Sequence, residues 1–531
     1  MRRLVLSIAV SVLWVLGGHA FAAHALTSDS KQFISGDNTF YAYVKGGETI
    51  SAAFTRVNFD EPFDTVRGDV IVTIDGPNAT QQTCVLSKDV PIGQGCKFAA
   101  QTAAVSGIWR IQFIAPNGAK SYNQASPNVR WGKNWFTWNI TVKSGADEQN
   151  GRIWTEQYNL RQPADAKYTD DLTNYYISED GYVYKATEFG YNGQISTLSA
   201  DAIGIRSGTD CVSAYQSVDV SSTKFSPSFG SCGNAYKMFF EEPAGDLPTS
   251  AVRWDKTVDW IRPNISRPAL SELHFASDNS QDQQSGTISF FLHNFIGQYQ
   301  IKIDVDNDGS FDGQSDVTMN EQMKKLSDGL QQIHFFGVDR QGQIILPSQT
   351  IGIEVVITKV AEIHLVAADV EGRTGGLELI RESGDNAPTS RICWNDTELA
   401  PLTDATLMTA KLDGRDCLDS TGGVHGWVYN DNSWGNARYI DDWIYASAKL
   451  DGNNQITYPD DAAKAAGAAK RNWLLFVIIA VVLLGGTAGA IVLIHRRKKT
   501  PPSQPGQPTP PTIGSIMPTG TDAPNNDPDR Y

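Results

Sequence analysis

The sequence predicts a mainly β protein: tandem β-sandwich modules held outside a membrane, one transmembrane α-helix and a disordered tail. Three observations predict it. Short segments rich in aromatic and β-branched residues recur along the 531-residue chain, separated by Gly, Asn and Pro turns. Two long apolar runs lie one near each end. All six cysteines occupy the stretch between those runs, and an even count there reads as disulfides in an oxidising compartment.

Residues 1–25 read as a secretory signal peptide. Arg2 and Arg3 precede an apolar core that begins at Leu4 and ends at Leu16. Ala20-Phe21-Ala22 and Ala23-His24-Ala25 then offer A-x-A type cleavage sites. Residues 26–145 are expected to form a first β-sandwich, from strands such as Thr39-Phe40-Tyr41-Ala42-Tyr43-Val44 and Trp135-Phe136-Thr137-Trp138-Asn139-Ile140. Residues 146–255 form a less regular β-rich module. Within it Tyr175-Tyr176-Ile177 and Tyr182-Val183-Tyr184 flank Ser178-Glu179-Asp180-Gly181, a hairpin signal because Asp-Gly accepts positive φ.

Residues 256–360 and 361–452 are expected as two further sandwiches. Glu272-Leu273-His274-Phe275 and Glu362-Ile363-His364-Leu365 lie ninety residues apart, which suggests a tandem repeat, with a chance match as the alternative. Residues 453–472, rich in Ala and Lys, read as a linker. The run 473–494 spans ~33 Å as a helix, enough for the ~30 Å hydrocarbon layer of a bilayer. His495-Arg496-Arg497-Lys498-Lys499 follows it, so the positive-inside rule leaves the Pro-rich tail, 495–531, cytoplasmic and the N-terminal part outside or periplasmic. The tail's composition cannot bury a core.

The formal charge is −15 and the pI about 5.0. That balance argues against nucleic acid as a partner, since phosphate binding needs basic surface. Among the fifteen pairings open to six cysteines, Cys84 with Cys96, Cys211 with Cys232 and Cys393 with Cys417 close the shortest loops. No Cys-x-x-Cys occurs, against zinc ribbons and thioredoxin-like chemistry. There is no Gly-x-Ser-x-Gly elbow, His-Glu-x-x-His or P-loop. The chain is therefore not expected to be an enzyme, although a carboxylate pair of the glycosidase kind stays open.

The sharpest motif is Asp304-Val305-Asp306-Asn307-Asp308-Gly309-Ser310-Phe311-Asp312. Carboxylates at alternating positions can point at one centre, and the glycine permits a sharp turn. A carbonyl at Ser310, the Asp312 carboxylate and Asp316 would complete an oxygen shell suited to Ca²⁺. Over 304–316 the loop resembles the calcium loops of EF-hands, dockerins and thrombospondin type 3 repeats. It departs from the EF-hand in having no glutamate at position twelve and a strand-like entering segment. The resemblance implies a structural ion; a solvated acidic turn is the plainer alternative.

A second cluster runs from His425 to Tyr445. Its Trp427, Tyr429, Trp434, Arg438 and Tyr439 are candidates for a ligand-binding face, in which flat rings stack and polar groups orient. Trp443 and Tyr445 alternate with Ile444, so at least one set packs inward, and core packing is the first reading. With Asp369-Val370-Glu371-Gly372-Arg373-Thr374-Gly375-Gly376 and Trp394-Asn395-Asp396, the region 361–447 resembles a module of large bacterial surface proteins of the adhesin type. That resemblance implies no catalytic residues; joined to the export and anchoring expected from the two apolar runs, it suggests a membrane-anchored, exported protein that adheres to or recognises a surface glycan or protein. The alternatives are a scaffold for envelope assembly or an envelope polysaccharide-processing enzyme. A carboxylate pair in one cleft beside exposed tryptophans would favour the enzyme.

Overall fold

The structure, a computed structural model, describes residues 38–57, 70–87, 90–114, 135–161, 169–193, 195–209, 211–278, 280–357, 359–399, 411–429, 433–446 and 455–457. The expected signal peptide, the apolar run 473–494 and the tail lie outside them. Among the described residues no helix is long and apolar enough to cross a membrane. Strands dominate, as the alternating pattern requires.

In the first sandwich, a sheet ordered Gly95–Thr102, Thr49–Val57, Trp135–Ser144, Asp147–Glu148 covers the strands Thr39–Val44, Gly107–Ile114, Val70–Asp75 and Gln82–Leu86. Every second residue points inward, as a pleated strand dictates: Phe40, Ala42 and Val44 from one sheet meet Trp138, Ile140 and Val142 from the other. Phe40 stacks on Trp138 at 6.0 Å, and Phe54 meets Phe113 edge-on at 5.0 Å. The Cys84–Cys96 bridge ties the two sheets together.

The second of these sheets does not end there. Thr39–Val44 also pairs with Ile153–Thr155, and the sheet continues through Lys237–Phe239, Asp170–Ile177, Val183–Asn192 and Gly372–Arg381 to Thr389–Ser390, ten strands in all. A six-stranded sheet carries Gln157–Arg161, Ile195–Asp201, Val360–Ala368, Arg438–Ala446 and Val218–Asp219, with Cys393–Trp394 paired to Arg438–Ala446. Segments 146–255 and 361–452, expected as successive modules, are thus interleaved: Thr187 lies opposite Glu378 and Ser199 opposite Val366. A strand's apolar pattern states which face is buried but not which edge it pairs with.

The hairpin at 178–181 forms as expected, with Ile177 opposite Val183 and Gly181 at φ +89°. All three cysteine pairs are those that close the shortest loops. Between the interleaved segments sits a separate sandwich. One sheet holds Ala269–Ser277, Gly286–His293 and Leu330–Phe335; the other holds Val317–Met323, Gly297–Asp304, Gly352–Val356 and Gln455–Thr457. The last strand comes from the expected linker. The two suggested repeat tetrapeptides occupy different environments, His274 exposed and His364 fully buried.

Candidate metal centre and ligand cavity

Ile303 pairs with Val317, so residues 304–316 form the hairpin connection at one end of the middle sandwich. The strand pattern of 298–303 and the positive φ of Asn307 (57°) and Gly309 (85°) fold the acidic run back on itself. Carboxylate oxygens of Asp304, Asp306 and Asp316 lie within 4.8 Å of one another. A Ca²⁺ with bonds of about 2.3–2.6 Å spans such a set. Asp316 is anchored by the amides of Val305 (3.0 Å) and Gly313 (2.6 Å), and Asp304 by that of Gly309 (2.9 Å).

The other oxygen of Asp304, Oδ1, is buried and has no hydrogen-bond partner among the described residues. Burial raises the Asp304 carboxyl, and the Asp316 charge adds to that. A buried, unpaired oxygen beside two further carboxylates fits a cation and is costly without one. Asp308 and Asp312 stand outside the group. Asp308 accepts the Ser310 amide at 2.7 Å, and Asp312 faces Lys302 at 3.3 Å on the exposed side. Of the six expected ligands, then, the structure gathers three carboxylates, including the one past position twelve.

The aromatic cluster is core. Trp427 is 0% and Trp434 5% exposed, and their rings meet edge-on at 5.1 Å. Arg438 is buried and lies 4.8 Å over Trp434; Tyr429 and Tyr439 are half-buried. The expected ligand-binding face is corrected accordingly: buried indoles have no face left for a ligand. They enclose a charged knot instead. His425 bonds Asp442 at 2.5 Å and Asp396 at 2.7 Å, while Trp394 stacks on its imidazole at 4.6 Å. Arg373 pairs with Asp442 at 2.9 Å and approaches Glu188 at 3.6 Å. Burial opposes the His425 charge, but Asp442 and Asp396 overcome it and raise the group to about 9. Burial holds Glu188 near 7 despite Arg373.

Next to it, His364 donates from Nδ1 to Asp441 at 2.9 Å and lies 3.5 Å from the Ser213 hydroxyl through Nε2. The order Ser–His–Asp has the outline of a nucleophilic triad, but it lacks the chemistry. His364 is fully buried, and Glu362 also faces Nε2 at 3.7 Å. Burial opposes the charge, yet Asp441 and Glu362 raise the imidazole to about 10. An imidazole held protonated cannot take a proton from Ser213.

A cavity of about 440 Å³ opens where the first sandwich, the interleaved sheets and the hairpin of Ser250–Val252 with Val258–Trp260 meet. Its lining includes Tyr41, Glu156, Gln157, Lys237, Asp259 and Trp260. Lys237 is 1% exposed. Its ammonium lies 3.0 Å from Asp259, 3.9 Å from Glu156 and 4.2 Å above the Trp260 ring. Burial raises the Glu156 carboxyl, against the pull of Lys237. These residues come from four distant segments, so no local motif could reveal them. The only signal in the sequence is a lysine at the head of the apolar strand Lys237–Phe239.

The chain matches no protein-family model, no curated protein and no solved structure.

Proposed function

We propose that this chain is an exported binding protein tethered to a membrane, engaged in adhesion to or recognition of a surface glycan or protein, with a structural Ca²⁺ in its middle sandwich. The observation that carries the reading is the pairing of all six cysteines into three bridges with none free, the state of an oxidising compartment. The leader-like residues 1–25 and the apolar run 473–494 followed by basic residues accord with it. Asp304, Asp306 and Asp316 would hold the ion, which would draw together carboxylates that otherwise repel one another.

Protease treatment of intact cells or spheroplasts tests the topology. The disulfide-bonded part should be cleaved while an epitope placed after residue 531 stays protected. Protection of the disulfide-bonded part, or cleavage of the epitope, would overturn the reading.

An envelope polysaccharide-processing enzyme is the second reading. It is favoured by one observation, the Glu156 and Asp259 carboxylates gathered around one ammonium in a cavity beside Trp260. Release of reducing sugar from envelope polysaccharide, abolished by Glu156→Gln, would decide for it.

A further inference from the structure

We propose that the cavity lined by Tyr41, Glu156, Lys237, Asp259 and Trp260 is a saccharide-binding site that takes a neutral, hydroxyl-rich sugar unit. The inference rests on the surface-recognition reading and names where the recognition occurs.

The volume, about 440 Å³, falls within the ~300–1,000 Å³ of small-molecule sites. Its polarity selects the chemistry. Among the described residues the Glu156 carboxylate has no polar contact closer than Lys237 at 3.9 Å, so its oxygens remain able to accept hydrogen bonds. Among the described residues Asp259 is hydrogen-bonded through Oδ2 alone, to Lys237. Asp201 also lines the space, but its oxygens are taken by the amides of Ile203 and Gly204 and by the Ser228 hydroxyl.

Charge excludes the simpler ligands. Glu156, Asp259 and the already hydrogen-bonded Asp201 face Lys237 and Arg253 across the lining, carboxylates and cations intermixed. A cation would meet the buried ammonium of Lys237, and an anion would meet the two carboxylates that enclose it. A purely apolar ligand would strip water from Glu156 and Asp259 and return no hydrogen bond. Hydroxyls both donate and accept, so a polyol satisfies carboxylate and ammonium together. Trp260, half-buried, supplies the apolar wall that the C–H face of a sugar ring requires, beside Tyr41, whose ring is stacked on Trp154 and Trp254. A neutral sugar is the class that meets all these conditions.

The test uses the full chain in mild detergent and saturation-transfer difference NMR. The probes are glucose, galactose, mannose and N-acetylglucosamine as methyl glycosides, with putrescine and acetate as charged controls. At least one neutral sugar should receive saturation at millimolar concentration, and its binding should weaken at least tenfold in Glu156→Ala and in Trp260→Ala. Should Trp260→Ala lower the melting temperature, Glu156→Gln, which leaves the fold's volume unchanged, carries the comparison. No transfer to any sugar, transfer to putrescine or acetate alone, or sugar binding undiminished in both Glu156 variants would overturn the assignment. A glycan array separates the two levels. Array binding that survives the cavity variants leaves surface recognition standing and removes only this site.

Discussion

Asp304→Asn tests the calcium loop with opposite signs in two buffers. The substitution is nearly isosteric and keeps an acceptor for the Gly309 amide, now 2.9 Å from Oδ2. It removes one of the three carboxylates that lie within 4.8 Å of each other. Extracellular calcium modules bind at about 10⁻⁴–10⁻³ M. At 10 mM Ca²⁺, RT ln(1 + [L]/Kd) then stabilises the folded state by about 1.4–2.7 kcal/mol. For a cooperative unit of 150–250 residues this is about 3–11 °C in melting temperature. In EDTA the order reverses. Burial and the Asp316 charge disfavour an ionised Asp304, so the neutral amide should melt at or above the parent. The assay is differential scanning calorimetry of the full chain in EDTA, in 10 mM Mg²⁺ and in 10 mM Ca²⁺. A parent indifferent to Ca²⁺, or a variant that keeps the parent's full Ca²⁺ shift, would refute the reasoning.

Three further outcomes are expected. His364 and His425, raised to about 10 and about 9 by the carboxylates around them, contribute stability that is complete below the ordinary histidine pKa of about 6.5 and lost as pH rises toward 9–10. Chemical melts from pH 6 to 10 should therefore show declining stability, with a flatter and lower profile in His425→Gln; a parent profile without decline contradicts the charged knot. Asp180 is raised to about 7 by burial, so its contribution is greatest below about pH 4 and falls as pH climbs through 7. Asp180→Asn should match the parent near pH 4 and exceed it at pH 8, and equal stabilities at both pH values would count against the assignment. Trp427→Ala and Trp434→Ala should each cost about 3–5 kcal/mol in urea unfolding, the range for truncating buried indoles. A stable variant that has lost only ligand binding would reinstate the exposed platform.

Features that depend on near neighbours in the chain could be read from the sequence. The period-two pattern of Ile301 and Ile303 around Lys302 specifies a strand with one buried face, and the structure buries both isoleucines completely. Asp180-Gly181 specified its hairpin, because the residues that turn are the residues that pair. The shortest-loop rule found the three bridges, since loop closure is cheapest over short spans. The acidic loop was legible as a list of oxygens. That Asp316 belongs to the cluster and Asp308 and Asp312 do not depended on how the hairpin closed.

Against this, the fate of His364, Glu362 and Asp441 could not be read locally. Val360–Ala368 is buried along its whole length, and its polar groups find hydrogen-bond partners on distant segments: His364 on Asp441, and Glu362 on the Tyr215 hydroxyl and the Gln298 amide. The indoles of Trp427 and Trp434 read as core first and as platform second, and the structure buries both.

The sequence by itself determined the β character, the turns, the acidic loop and the two apolar runs that suggest export and anchoring, and it favoured the cysteine pairs that the structure forms. Each follows from side-chain chemistry and spacing within a few residues. Only the tertiary structure decided that residues 146–255 and 361–452 share sheets, that the aromatic segment encloses buried charges, and that Tyr41, Glu156, Lys237, Asp259 and Trp260 meet at one cavity. A strand's hydrogen-bonding edges are the same whatever its side chains, so pairing between distant strands is selected by the packing of the whole chain.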